Sequence, residues 1–226
     1  MRSENTRIPG VLYLLNALTG AFSIFFVTHK FFVSGNSSAT LERITTAEAL
    51  YRVGVASDLL SQVLFVVLGF TLYRVFAKAQ PGPARLLLVF ILASLPLAGA
   101  SLVLQAAPLV SLHAAPQHFG LSSEQAAQSV QAALSLRSMG IALTSIFWGL
   151  WLLPFGVAVL KSGYMPPVIG YLLLAAGVAY TGAALLYIVL PQFRSIVGLA
   201  SLAVAAVGEV SAITWLLIKG VPRGEA

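Results

Sequence analysis

The chain has 226 residues, of which 58% are hydrophobic and 9% charged, with a mean hydropathy of +0.92. A soluble domain carries about 25% charged residues, so this sequence lacks the polar surface a water-soluble fold needs. Its net charge is +6, but the basic residues lie in the gaps between apolar runs. That placement suits topology signals and anionic lipid headgroups, and with no basic patch interleaved with aromatics it excludes nucleic acid as a partner. The absence of cysteine excludes disulfides, thiolate metal sites, thiol nucleophiles and CxxCH haem attachment.

Apolar stretches long enough to cross a bilayer recur along the chain, which predicts an all-α integral membrane protein. It reads as a single transmembrane domain over residues 1–226, a bundle of six helices spanning roughly 9–32, 53–77, 86–112, 139–160, 166–190 and 196–218. The first apolar run exceeds the 7–15 residues of a signal peptide and no A-x-A-like site follows, so it is expected to be a retained span. "SGNSSAT" follows as a loop, and Thr45 with Glu48 offers a capping box for the helix that carries Asp58. "KAQPGPAR" is a tight turn. Span three holds Pro96 and Pro108, which predict kinks. Ser122 with Gln125 forms a second capping box, predicting a short amphipathic helix outside the membrane before span four. "KSGYMPP" and "PQFR" turn the chain into spans five and six.

Six spans place both termini on one side. If that side is cytoplasmic, Arg2, Arg7, Arg74, Lys78, Arg85, Lys161, Lys219 and Arg223 lie inside, against Lys30, Arg43, Arg52, Arg137 and Arg194 outside. Eight against five favours cytoplasmic N- and C-termini.

Charged and amide side chains inside such runs are the candidate site. Glu209 lies ten residues before Lys219, hence ~15 Å from the cytoplasmic end. Asn16 falls at nearly the same depth, as does Trp151. Asp58, six residues past Arg52, lies only ~9 Å from the outer end, at a level shared by Ser23, Gln105, Thr144, Ser145 and Ser201. Tyr13, Asn16, Gly20 and Ser23 form one helical stripe, and Asp58 with Gln62 another. Such stripes face neighbouring helices, because lipid cannot satisfy them.

An acid at the centre of a membrane helix costs roughly 2.5–3.5 kcal/mol on insertion scales, so it needs a partner, a proton or a function. With no cation at its depth, Glu209 is expected to hold its proton between spans one and six, with the Asn16 amide as its nearest polar side chain. Asp58 is expected to stay ionised beside Arg52 or Arg137. Trp148 and Trp151 read as packing or as walls of a binding site. His29, His113 and His118 all map to the outer side, a weak pattern for a metal or pH-sensing cluster, and no metal site and no cofactor is expected. No P-loop, GxSxG, HExxH or dinucleotide fingerprint is present.

"RIPGVLYLL", "LYRVGVASDLL", "FWGLWLLPFGVAVLKSGYMPPVIGYLL" and "GEVSAITWLLIKGV", in this order along nearly the whole chain, together resemble a bacterial polytopic membrane family known as domain of unknown function 4386. The resemblance implies a small helical bundle in a bacterial cytoplasmic (inner) membrane and no established activity. Family members often carry histidine at the position of Trp151, so a role for that histidine does not carry over.

On these residues the leading expectation is an intramembrane pocket for a lipophilic small molecule. Asp58 and Glu209 would be its catalytic acid–base groups in an isomerisation or cyclisation, and Asn16, Gln62, Gln105, Trp148, Trp151, Arg52 and Arg137 would bind the ligand. Two other readings stay open: a proton-coupled carrier using Glu209, which in so small a bundle calls for a homo-oligomer, and a structural subunit with no pocket. Membrane lipids are the partners common to all three.

Overall fold

A computed structural model describes residues 5–113 and 120–222, with backbone alone at 5, 113, 191 and 194–196. The chain is helical almost throughout. A two-residue strand β1 (Asn5–Thr6) precedes α1 (Ile8–Ala21), which passes without a break into a π turn (Phe22–Val27) and α2 (Thr28–Phe31). Then come α3 (Ser37–Thr46), α4 (Glu48–Phe76), α5 (Pro81–His113), α6 (Ser123–Leu150), α7 (Leu152–Ser162) and α8 (Pro167–Val189). A 3₁₀ turn (Pro191–Phe193), α9 (Arg194–Ile218) and strand β2 (Val221–Pro222) complete it. Six of these passages are long and apolar enough to cross a membrane, as expected from the sequence.

The differences lie at the ends of spans and in the middle of span four. The second half of the "SGNSSAT" loop is helical: Asn36 Oδ1 accepts from the Ala39 N–H at 2.9 Å and starts α3 at Ser37. Thr45 therefore lies within α3 and donates to the Leu41 carbonyl at 2.9 Å, so it does not cap α4. The second capping box forms as expected: the Ser122 N–H donates to Gln125 Oε1 at 2.8 Å, and the Gln125 N–H donates to Ser122 Oγ at 3.2 Å. The helix it starts does not end before the membrane but runs on to Leu150. One residue, Trp151, separates α6 from α7. Pro154 explains the break, since it has no N–H and its ring crowds the carbonyl of Leu150, four residues back.

Near the chain ends, β1 pairs antiparallel with β2, Asn5 opposite Pro222 and Thr6 opposite Val221. The described ends therefore meet, which agrees with an even number of spans, since both ends then lie on one side.

Side-chain placement is inverted relative to a soluble protein. Leu199 is 72% exposed and Val103 70%, while Asp58 is 7% and Arg137 3%. Apolar exteriors cost nothing against lipid, and polar groups have no water to satisfy them there, so they collect inside.

The chain divides into two compact units, and α1, α4, α5 and α6 each contribute residues to both. Unit 1 comprises Met1–Leu15, Val63–Leu95 and Ala142–Ala226. Within it α6 and α7 lie against α8 at backbone contact. A Cβ placed on Gly149 would fall 2.7 Å from the Gly177 carbonyl, and one on Gly156 would fall 2.8 Å from that of Gly170. The seven-residue spacing on both strands of this antiparallel contact keeps the glycines in register. Gly208 of α9 approaches the Leu172 carbonyl in the same way, and Gly10 of α1 meets the Leu216 backbone. Small residues let backbones approach and recover dispersion energy where no hydrophobic effect operates between helices.

Unit 2 comprises Asn16–Gln62 and Pro96–Ile141. Its core packs Val27, Phe31, Ile44, Tyr51, Val130 and Leu134. Gly54 faces the Val27 side chain and Gly20 faces Ser61, which bring α1 and α4 together here.

Candidate functional site

Unit 2 carries a buried polar network centred on Asp58. The π turn in the first passage begins next to Ser23, and such widened turns recur at functional positions in helices. Ser23 Oγ donates to Asp58 Oδ2 at 3.3 Å. The same carboxylate oxygen takes Arg137 Nη2 at 3.2 Å. One turn along α4, Gln62 Nε2 donates to the other oxygen, Oδ1, at 3.2 Å. Behind Ser23, Gln105 Nε2 donates to its hydroxyl at 3.0 Å. Tyr51 Oη donates to the Gln105 main-chain carbonyl at 2.6 Å. Arg137 Nη1 donates to Thr28 Oγ1 at 3.2 Å.

Asp58 thus receives three donors, one of them cationic, and this arrangement suits the ionised carboxylate. Burying two charges is costly unless they pair and their remaining hydrogen-bonding capacity is met. For Asp58 it is met. For Arg137 it is not: its Nε is buried without a hydrogen-bond partner among the described residues. Arg137 also lines a cavity of about 20 Å³ together with Tyr51, Gln105, Ser138 and the apolar Val27, Phe31 and Leu134.

Of the two cations expected near Asp58, the structure selects Arg137. Arg52 is exposed and its Nε lies 2.6 Å from Glu48 Oε1, one turn earlier on the same helix. Gln62 and Gln105 join the network as their spacing implied. Ser145 and Ser201, expected at the same level, instead donate to carbonyls of their own helices, Ala142 at 2.7 Å and Gly198 at 2.9 Å. A serine one turn from a free lone pair satisfies itself locally, so shared depth does not recruit it.

Glu209 sits in unit 1. Its Oε2 accepts from Tyr13 Oη at 2.7 Å. The hydrogen-bonded partner is therefore Tyr13 and not Asn16, whose side-chain oxygen accepts from Ser61 Oγ at 3.1 Å in unit 2. Tyr13 is itself buried, its ring edge-on to Trp151 at 5.6 Å. Trp151 contacts Phe65 edge-on at 5.4 Å and stacks on Phe155 at 5.5 Å. Trp151 is thus the centre of an aromatic core, whereas Trp148 is half-buried.

Sequence reasoning placed Tyr13 on the correct stripe but passed it over, because depth was reckoned from backbone positions and a phenol carries its hydroxyl far from its Cα. Thr28 and Tyr51 carried no distinguishing sequence signal. Among the histidines, His29 is exposed, while the His113 side chain and His118 lie outside the described residues. No cluster of metal-ligating side chains occurs among the described residues.

Residues 8–220 match the family described as Domain of unknown function (DUF4386). No curated protein and no solved structure was found to match the chain.

Proposed function

The chain belongs to the DUF4386 family, and we propose that it binds a lipophilic small molecule inside the membrane, receiving the polar head of that molecule at the Asp58–Arg137 pair. The observation that carries this reading is the Arg137 Nε–H, buried and unpartnered, on a side chain that lines a cavity. An orphaned buried donor costs about 1–3 kcal/mol, and an acceptor in the cavity would recover it once the guanidinium turned its Nε–H toward that space.

The chemistry narrows the ligand. Asp58 already matches the guanidinium charge, so the acceptor need carry none; a carbonyl or hydroxyl oxygen suits the site better than a second anion, which would compete with Asp58. A cavity of about 20 Å³ has room for one oxygen-bearing group. The apolar remainder of the ligand would extend past Val27, Phe31 and Leu134. Each carboxyl has its own partners in its own unit, so the reading is one of binding and invokes no acid–base transformation by Asp58 and Glu209 together. We place the protein, on the same footing, in a bacterial inner membrane with cytoplasmic termini.

The test compares wild type with Ser138→Leu, which fills the cavity while leaving the ion pair intact. Both are purified in native lipid nanodiscs, extracted with solvent and analysed by mass spectrometry. A carbonyl- or hydroxyl-bearing lipophile enriched over bulk lipid in wild type and absent from a helical, monodisperse Ser138→Leu protein supports the reading. Identical extracts from the two proteins would remove it.

A further inference from the structure

Glu209 is the one acid among the described residues of unit 1, and the network around Asp58 makes no use of it. Its Oε2 is held by Tyr13 at 2.7 Å. Its other oxygen takes no hydrogen bond among the described residues, and it is not among the side-chain atoms sealed inside the protein without a partner. Glu209 as a whole is half-buried, and its neighbours Val207 and Val210 on α9 are 57% and 58% exposed. Glu209 therefore sits where the helix turns from its packed face to its exposed face, with one carboxyl oxygen held by Tyr13.

An ionised carboxylate in that position has one neutral donor and no cation within ion-pair distance among the described residues, and hydrocarbon offers nothing more. The neutral acid avoids the cost of burying the charge. Tyr13 can donate to the carbonyl oxygen of that acid and donates more strongly to the carboxylate, so it is a partner of both forms but favours the ionised one. The phenol is held in place by its edge-on contact with Trp151, itself fixed by Phe65 and Phe155. The other titratable group within electrostatic reach is Tyr180 on α8, which is neutral as a phenol.

We propose that Glu209 is a lipid-accessible proton-binding site, with the Tyr13 hydroxyl as the fixed partner of both its protonated and its ionised forms. The site is independent of ligand binding at Arg137. It fits the chemistry of a carboxyl that takes up and gives up a proton in place, because neither form requires Tyr13 to move.

A hydrophobic carbodiimide tests this directly. Dicyclohexylcarbodiimide adds to a carboxylic acid only when the acid proton passes to its nitrogen; the carboxyl oxygen then bonds to the central carbon, giving an O-acylisourea that rearranges to a stable N-acylurea with no leaving group. Protein in lipid nanodiscs is treated across a pH series and mapped by peptide mass spectrometry. The expected result is one adduct, on Glu209, formed more slowly as pH rises, absent from Glu209→Gln, and not produced by a water-soluble carbodiimide. Tyr13→Phe should keep the adduct but shift its pH profile, since only one of the two oxygens then loses its donor. No adduct on Glu209 in folded protein, or an adduct whose rate ignores pH, overturns the proposal; an unchanged profile in Tyr13→Phe removes the role given to the phenol.

Discussion

Replacing Arg137 by Met removes the guanidinium and keeps an unbranched apolar stem, so the packing against Leu134 changes little and the electrostatics change fully. In the native protein Asp58 receives Arg137 at 3.2 Å, Ser23 at 3.3 Å and Gln62 at 3.2 Å. Breaking a buried ion pair by removing one partner costs about 3–5 kcal/mol, because the remaining charge is left uncompensated. Here two neutral donors stay with the carboxylate, and the loss also removes the orphaned Nε–H, worth about 1–3 kcal/mol. Both effects place the expected loss at the lower end, about 3 kcal/mol. The exposed pair Arg52–Glu48 provides the contrast, and Arg52→Met should fall within about 0.5 kcal/mol of wild type. The assay is reversible unfolding by sodium dodecyl sulfate in mixed micelles, followed by far-ultraviolet circular dichroism. Combining Arg137→Met with Asp58→Asn removes both charges, so the double variant should be more stable than the sum of the singles by about 1–3 kcal/mol. If Arg137→Met unfolds with wild type, or if the two substitutions add without coupling, the network does not hold the buried charges in the way argued.

Gly177→Ala should destabilise by about 1–3 kcal/mol, since its Cβ would sit 2.9 Å from the Gly149 carbonyl; Gly182→Ala on the same helix, with nothing within 4 Å, should be neutral or slightly stabilising in the same titration. The cysteine-free chain allows Thr6→Cys with Val221→Cys, whose residues face each other across β1 and β2; mild oxidation should give a faster-migrating intramolecular species, and only intermolecular dimers would refute the strand register. The same cysteines, probed singly with an impermeant maleimide in right-side-out vesicles, should both be protected if the termini are cytoplasmic. Glu209→Gln should preserve folding and Glu209→Lys should prevent it, an unpaired cation at that depth costing roughly 2.5–3.5 kcal/mol, as read by monodispersity after extraction.

The six passages were legible because a bilayer imposes a length of apolar sequence that local reading detects without knowledge of partners. The Ser122–Gln125 cap and the Asp58–Gln62 neighbours were legible for a related reason: residues three or four apart on a helix meet wherever the helix lies. Depth counting was weaker. It brought Ser23 and Gln105 to Asp58, yet it ranked Arg52 beside Arg137 and Asn16 ahead of Tyr13. Arg52 found Glu48 on its own helix, which a four-residue spacing permitted but did not require. Whether Arg137 or Arg52 pairs with Asp58 depends on which face of α6 and α4 turns inward in unit 2, and glycines 20 and 54 set that by letting α1 approach α4. Which hydroxyl reaches Glu209 depends on the distance between α1 and α9 in unit 1, fixed where Gly10 meets the Leu216 backbone. Sequence alone therefore singled out Asp58, Gln105 and Arg137 for burial, since hydrocarbon cannot satisfy them, although Arg52, singled out with them, is exposed and Glu209 is only half-buried. Their partners were decided by interhelical distances of a few ångströms, which arise from packing over the whole unit and are written in no single segment.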